Sequence, residues 1–364
     1  MHTRDFDYDL PEELIAQEPA TRRDGSRLLV LDRARATRRD HRFAELPELL
    51  PPGSLLVLND SRVFPARLRA RKQTGGAVEV LLVSPVEDDR AAAVTRPTWR
   101  CLCRSSKGLR AGQRLHFDAA AAHPPVSAEV CRALPDGAAE LRFRQEAQTD
   151  EGTPDWFLRW VQAAGETPLP PYIQRPDGER AQDRERYQTV YARHGGSVAA
   201  PTAGLHFTEA LLARLAAAGV EQAFVTLHVG PGTFRPVRAE RVTDHRMDAE
   251  RAHIPAEAAD RITRAKRERR PVVAVGTTTV RALEGAAEAP GRVRPGRHDI
   301  DLFITPGYEL RVVDGLITNF HLPRSTLLML VSALAGREAV LDAYRHAVAE
   351  RYRFYSYGDA MWIR

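Results

Sequence analysis

The stretch Val272-Val273-Ala274-Val275-Gly276-Thr277-Thr278-Thr279-Val280-Arg281-Ala282-Leu283-Glu284 decides the fold class. Its four leading residues are apolar and mostly β-branched, as in a buried strand. Gly276 breaks the run, and residues spaced for a helix follow. A strand that feeds a helix directly is the repeating unit of an α/β domain. A helix starting there turns free backbone N–H groups and the positive end of its dipole toward an anion beyond the strand. Plain capping by Thr277 or Thr278 accounts for the hydroxyls equally well.

The same alternation continues outward. Helices are expected at 154–164, 184–194, 208–218, 255–270, 277–287, 325–335 and 338–351, with strands at 221–229, 271–275, 299–304, 316–319 and 353–357. Toward the N-terminus the pattern gives a short helix at 11–17, a strand at 28–31, a helical 43–50 and a strand at 54–58. Between residues 63 and 150 the texture changes to short strands at 77–83, 99–104, 113–117, 126–134 and 138–144. Thr74-Gly75-Gly76 and Pro135-Asp136-Gly137 punctuate them, and the alanine run 119–122 reads as a loop. The expected organisation is therefore an α/β main domain in two parts, 1–62 and 152–364, interrupted by a small all-β domain at 63–151.

Composition agrees with that size. The 364 residues exceed one ordinary domain of roughly 100–200 residues. A hydrophobic fraction of 43% with 28% charged residues is ordinary for a globular chain and excludes wholesale disorder. The most apolar run, 327–335, is about half the ~20 residues a membrane span needs, and the N-terminus does not read as a signal peptide. Three cysteines are an odd number, pointing to reduced thiols and a cytoplasmic home. Cys101 and Cys103, with Cys131, His116 and His123 nearby, suggest a metal site at first sight. The C-x-C spacing is tighter than zinc sites use, so small core residues are expected and no metal. The net charge of +5 suits a phosphate-bearing partner, but only Lys72, Lys107 and Lys266 are lysines, and such arginine bias has a genomic explanation too.

Several chemistries lose their usual marks. No lysine follows a glycine, so there is no Walker A loop. Gly230-Pro231-Gly232 begins a dinucleotide fingerprint whose third glycine position is Arg235. Gly195-Gly196-Ser197-Val198 lacks the closing glycine of a nucleophile elbow, where Ala199 stands.

Candidate site residues cluster at strand ends. Leu227-His228-Val229-Gly230-Pro231-Gly232 offers an imidazole and an open backbone. Gly204-Leu205-His206-Phe207 lies in a small-residue loop before a helix capped by Thr208. Thr318-Asn319-Phe320-His321 and Arg324-Ser325 lead into the most apolar helix, and Asp299 and Asp301 share one strand face.

These stretches carry a resemblance. FDYDLPEELIAQEP, LLVLNDSRVFPARL, GSVAAPTAGLHFTEALL, VTLHVGPGTFRPV, VVAVGTTTVRALE, DLFITPGYELRVVDGLITNFHLPRSTLLMLVSALAG and YRFYSYGDAM together resemble the S-adenosylmethionine:tRNA ribosyltransferase-isomerase family of queuosine biosynthesis. The blocks span nearly the whole chain and are thinnest over 63–151. Ile300 and Tyr355 depart from the family's usual Thr and Phe.

The resemblance implies a barrel-like α/β main domain with an inserted β-barrel, S-adenosylmethionine as ribosyl donor, and no metal. It implies as partner a tRNA of the GUN anticodon class carrying 7-aminomethyl-7-deazaguanine at the wobble position. The products are epoxyqueuosine-tRNA, adenine and methionine. The sulfonium acidifies the ribose 5′ C–H; a base removes that proton, adenine leaves with proton donation, the aminomethyl nitrogen attacks, and epoxide closure expels methionine. Proton-transfer groups with pKa values near operating pH are needed. His206 and His228 are the expected pair, with His321 and Asp301 next. Thr277 and Thr278 are expected to hold the methionine carboxylate, Arg281 and Arg324 that carboxylate or a tRNA phosphate, and Gly204, Gly230, Gly232 and Asn319 to line the substrate site. A monomer without membrane contact is expected. The competing readings are an S-adenosylmethionine-dependent RNA methyltransferase and a non-catalytic tRNA-binding protein.

Overall fold

The computed structural model describes residues 1–364 apart from 87–95, 118–122, 147–154, 231, 233–236 and 238. Its strands are β1 (Arg27–Asp32), β2 (Thr37–Arg42), β3 (Leu55–Asn59), β4 (Ser61–Val63), β5 (Arg67–Lys72), β6 (Ala77–Pro85), β7 (Thr98–Ser105), β8 (Arg114–Phe117), β9 (Val126–Ala133), β10 (Ala138–Gln145), β11 (His194–Ser197), β12 (Glu221–Leu227), β13 (Glu250–Ile254), β14 (Val272–Val275), β15 (Ala287–Ala289), β16 (Arg292–Val293), β17 (Gly296–Ile300), β18 (Gly315–Asn319) and β19 (Ala360–Ile363).

Two compact units result, one of Met1–Arg62, Pro170–Pro176 and Glu185–Arg364, the other of Val63–Leu169 and Asp177–Arg184. The larger holds a nine-stranded mixed sheet in the order β17-β13-β12-β3-β14-β18-β19-β1-β2. At its centre β12, β3, β14 and β18 run parallel. β3, β14 and β18 are buried along their whole length, as parallel strands covered on both faces must be. The period-two pleat divides their side chains between two layers. Leu55, Val57, Val272, Ala274 and Leu316 face one core with Ile262, Leu283 and Met329. Leu56, Leu58, Val273, Val275 and Ile317 face the other with Phe43, Phe207 and Leu211.

The smaller unit is a closed antiparallel barrel, β10-β7-β6-β5-β8-β9. The sequence boundary at 151/152 lies outside the described residues, and this unit continues to Leu169. The cause is aromatic. Helix Trp156–Ala164 sets Phe157 with its ring centroid 4.7 Å from Phe143 of β10, and Trp160 5.3 Å from Phe117 of β8. Cys101 is buried in this unit, and all three cysteines are free thiols. The alanine run 119–122 lies outside the described residues.

Three expected elements are corrected. The helix at 184–194 shrinks to Asp183–Arg186, after which Arg193 N–H and His194 N–H bond to the Asp60 carbonyl and the chain enters β11. The strand at 299–304 is β17, which stops at Ile300. There the Arg281 guanidinium takes the Ile300 carbonyl at 3.3 Å and the Leu302 carbonyl at 3.2 Å. The aromatic run 353–357 is a turn. Tyr355 has φ 69°, Gly358 N–H bonds back to its carbonyl, and the strand comes later as β19.

Candidate active site

Four parallel strands end together, so the residues beyond β12, β3, β14 and β18 gather along one edge, the usual place for a ligand in an open α/β sheet. Asn59, the last residue of β3, ties that edge. Its Oδ1 accepts from Leu227 N–H at 3.0 Å and Ser61 N–H at 3.1 Å. Its Nδ2 donates to the Leu227 carbonyl at 3.0 Å and to Thr278 Oγ1 at 3.4 Å. Above lies a small pocket. Its walls come from 199–203, Val229, 276–278, 318–322, Tyr172 and Tyr355.

Two helices begin at this pocket. Helix Thr277–Gly285 starts at Gly276, whose φ of 87° suits glycine, and no side chain caps it. Thr279 Oγ–H bonds to the Val275 carbonyl at 2.6 Å, so the hydroxyl run is not a cap, and the first-turn dipole faces the pocket through Thr277 and Thr278. Helix Thr326–Ala335 is capped by Ser325, which accepts from Leu328 N–H. Opposite, the rings of Tyr172 and Tyr355 lie 4.6 Å apart. Tyr355 Oη is buried without a hydrogen-bond partner.

His321 lines the pocket, with Nε2 2.8 Å from Thr318 Oγ1. Its backbone is clamped at both ends. The N–H donates to Tyr344 Oη at 3.0 Å, and the carbonyl accepts from Tyr8 Oη at 2.5 Å. Burial pushes its pKa down to about 3, so the ring is neutral at physiological pH. Asn319 joins the same wall, its Oδ1 buried and without a partner.

His206 stands behind that wall rather than in it. Nε2 lies 3.1 Å from Asn319 Nδ2 and Nδ1 2.8 Å from Ser26 Oγ, while the ring stacks on Phe43 at 4.9 Å. Burial first, then the nearby Arg353 and Arg23 cations, lower its pKa to about 3.

The remaining expected residues are not brought to the pocket. His228 turns away from it while Val229 lines it. A Cβ on Gly196 would sit 3.2 Å from the His228 ring, whose Nδ1 is buried without a partner; burial and then His194 and Arg251 lower its pKa. Asp301 is exposed beyond the end of β17. Arg281 is buried in an ion pair with Glu250, whose other oxygen accepts Gly230 N–H at 3.1 Å. Arg324 is exposed and paired with Asp7. Gly204 is required by packing, since a Cβ there would lie 2.1 Å from Tyr191 Oη. Gly232 faces Asp248 in the same way, at 2.8 Å. Tyr172 and Tyr355 are pocket residues that the sequence does not single out. Nothing local marks the tyrosines. Among the described residues no group of three His, Cys, Asp or Glu side chains is arranged to hold a metal ion.

Comparison with known proteins adds a family. A family model described as queuosine biosynthesis protein matches residues 3–363. The chain is 52% identical over 363 residues to an S-adenosylmethionine:tRNA ribosyltransferase-isomerase of Pelobacter propionicus, covering 100% of both chains. It is 52% identical over 364 residues to the protein of the same name from an Anaeromyxobacter species, covering 100% of this chain and 99% of that one. A crystal structure of S-adenosylmethionine tRNA ribosyltransferase from Thermotoga maritima is similar at a TM-score of 0.53 and 36% identity, over 99% of this chain and 100% of that one.

Proposed function

The chain belongs to the queuosine biosynthesis protein family, and from that premise we propose that the pocket at the carboxyl edge of the parallel strands is where it binds S-adenosylmethionine. It is an S-adenosylmethionine:tRNA ribosyltransferase-isomerase, a tRNA-modifying transferase of queuosine biosynthesis. It moves and isomerises the ribosyl part of S-adenosylmethionine onto 7-aminomethyl-7-deazaguanine at the tRNA wobble position, releasing adenine and methionine.

One observation carries the assignment of the pocket. An uncapped helix N-terminus, a pair of tyrosine rings and the unpartnered polar atoms Asn319 Oδ1 and Tyr355 Oη meet in a single cavity. The first two match the carboxylate and the sulfonium of the methionyl part. The carboxylate fits the Thr277 and Thr278 N–H groups, where the dipole favours an anion. The sulfonium fits over an aromatic face, which attracts a cation. Of the four proton-transfer candidates, His321 is the one that lines this pocket. Its bond to Thr318 Oγ1 leaves Nδ1 for the substrate, as acceptor or donor according to the tautomer.

The finer reading follows. The tRNA substrates are those with GUN anticodons. The working unit is a monomer. Free thiols and a tRNA substrate support a cytoplasmic location. Among the described residues no helix is long and apolar enough to cross a membrane.

The test is product identity. Adenine should be released from S-adenosylmethionine only with tRNA bearing the aminomethyl base, without added metal. Full activity on tRNA with unmodified guanine, which lacks the nucleophilic amine, refutes the reading. S-adenosylhomocysteine as the product would mean methyl transfer instead.

A further inference from the structure

The orientation of the Asn319 carboxamide is forced by its neighbours. Nδ2 lies 3.1 Å from the Tyr355 carbonyl, which can only accept, so the amide nitrogen must face it. The second N–H of the same nitrogen points at His206 Nε2, 3.1 Å away, which must then accept. That fixes the imidazole as the Nδ1–H tautomer, donating to Ser26 Oγ at 2.8 Å, and Ser26 passes its own proton to the Arg23 carbonyl at 3.3 Å. Every donor in this buried chain has its acceptor. One atom is left over, Asn319 Oδ1, buried without a partner on a residue that lines the pocket. A buried acceptor left unpaired costs roughly 1–3 kcal/mol, which a ligand with a matching donor relieves.

We infer that Asn319 Oδ1 is the acceptor by which the pocket recognises an N–H donor of S-adenosylmethionine, and that His206 is the positioning residue that holds it in that orientation. The inference rests on the reading of the pocket as the S-adenosylmethionine site. The substrate offers two such donors, the α-ammonium of its methionyl part and the exocyclic amine of its adenine. A protonated His206 would present a second donor to Asn319 Nδ2 and break the chain. The depressed pKa of this ring is what a permanent acceptor requires. His206 thus holds the site in shape and transfers no proton.

The test measures binding of three ligands by titration calorimetry: S-adenosylmethionine, its 6-oxopurine analogue and its analogue without the α-amine. The wild-type protein should bind one of the analogues about tenfold more weakly, the cost of one good hydrogen bond, and that analogue identifies the donor. Asn319→Ala should bind S-adenosylmethionine about tenfold more weakly and lose the discrimination. His206→Leu, which leaves the amide without its acceptor, should behave like Asn319→Ala. His206→Gln, whose Oε1 accepts where Nε2 did, should restore both affinity and discrimination, which a merely space-filling role would not. If His206→Leu fails to fold, the glutamine and Asn319→Ala variants carry the decision. A wild-type protein that binds all three ligands equally, or a His206→Leu protein that still discriminates, overturns the inference and leaves the pocket assignment standing. A wild-type protein that binds no S-adenosylmethionine overturns both.

Discussion

Thr318, in β18, and His321, on the turn that leads from it into the helix Thr326–Ala335, are joined side chain to side chain, Oγ1 to Nε2, at 2.8 Å. The bond uses one ring nitrogen and leaves the other without a partner in a residue that lines the pocket. Where Nε2–H donates in that bond, Nδ1 carries the lone pair on the open side; where Thr318 donates, Nδ1 carries the hydrogen.

His321→Ala should therefore lower turnover by about 10²–10⁴-fold, the scale of general acid–base catalysis, with a smaller loss of S-adenosylmethionine affinity. His321→Gln keeps a partner for Thr318 but has no basic nitrogen at the Nδ1 position. Its turnover should fall as far. Steady-state kinetics of adenine release decides, and a glutamine variant with near-normal turnover would remove His321 from the proton path.

Acid should destabilise the protein partly through His206. Its pKa in the folded chain is lowered from 6.5 to about 3, so between these values the unfolded chain binds a proton that the folded chain does not. Stability then falls as pH drops below the unfolded pKa and is unaffected above it. One such group contributes a slope of about 1.4 kcal/mol per pH unit. Urea titrations between about pH 4 and 6 should show His206→Gln with a slope smaller by that amount. An unchanged slope would mean that His206 is charged in the folded protein.

What the sequence makes legible depends on whether the cause is local. β14 and its helix are readable because Val272–Val275 is apolar throughout and Gly276 is the break. Asn319, His321, Thr277 and Thr278 are readable as pocket residues because strand ends are where α/β sheets open into clefts. β2, with the exposed sequence TRRDHR, has no apolar face and exists through its pairing with β1. β5, RLRARK, does alternate, but its buried Lys72 disguises the inward face. The Tyr172–Tyr355 pair joins residues far apart in the chain. His206 looks like a catalytic histidine in sequence because Ser26 and Asn319, which occupy both its nitrogens, are equally remote.

The limits of the β-rich unit are open to a direct trial. Replacing residues 63–151 with a Gly/Ser linker removes Phe117 and Phe143 and leaves Phe157 and Trp160 of the helix Trp156–Ala164 without the rings they pack on. That protein should aggregate on gel filtration. Replacing 63–169 removes the helix with its barrel and should leave a soluble protein that binds S-adenosylmethionine, since linker length costs only about 0.6 kcal/mol per doubling. The opposite pattern of solubility would return the boundary to residue 151.

Arg281 separates a structural ion pair from a substrate ligand. The sequence offers it as an anion holder one turn into the helix Thr277–Gly285, but in the fold its guanidinium is spent on Glu250 and on the carbonyls of Ile300 and Leu302. Both charged side chains are almost wholly buried, at 4% and 6% exposure, so removing one takes a buried counter-charge from the other. Arg281→Met should cost about 3–5 kcal/mol in denaturant unfolding. Adding Glu250→Gln should recover part of that loss, because the amide oxygen can still accept Gly230 N–H while one buried negative charge is removed. S-adenosylmethionine affinity, measured on the folded fraction, should stay within about threefold in both variants. Unchanged stability together with a tenfold or greater loss of affinity would show that Arg281 leaves Glu250 to hold the substrate, and that the sequence reading of this arginine was the right one.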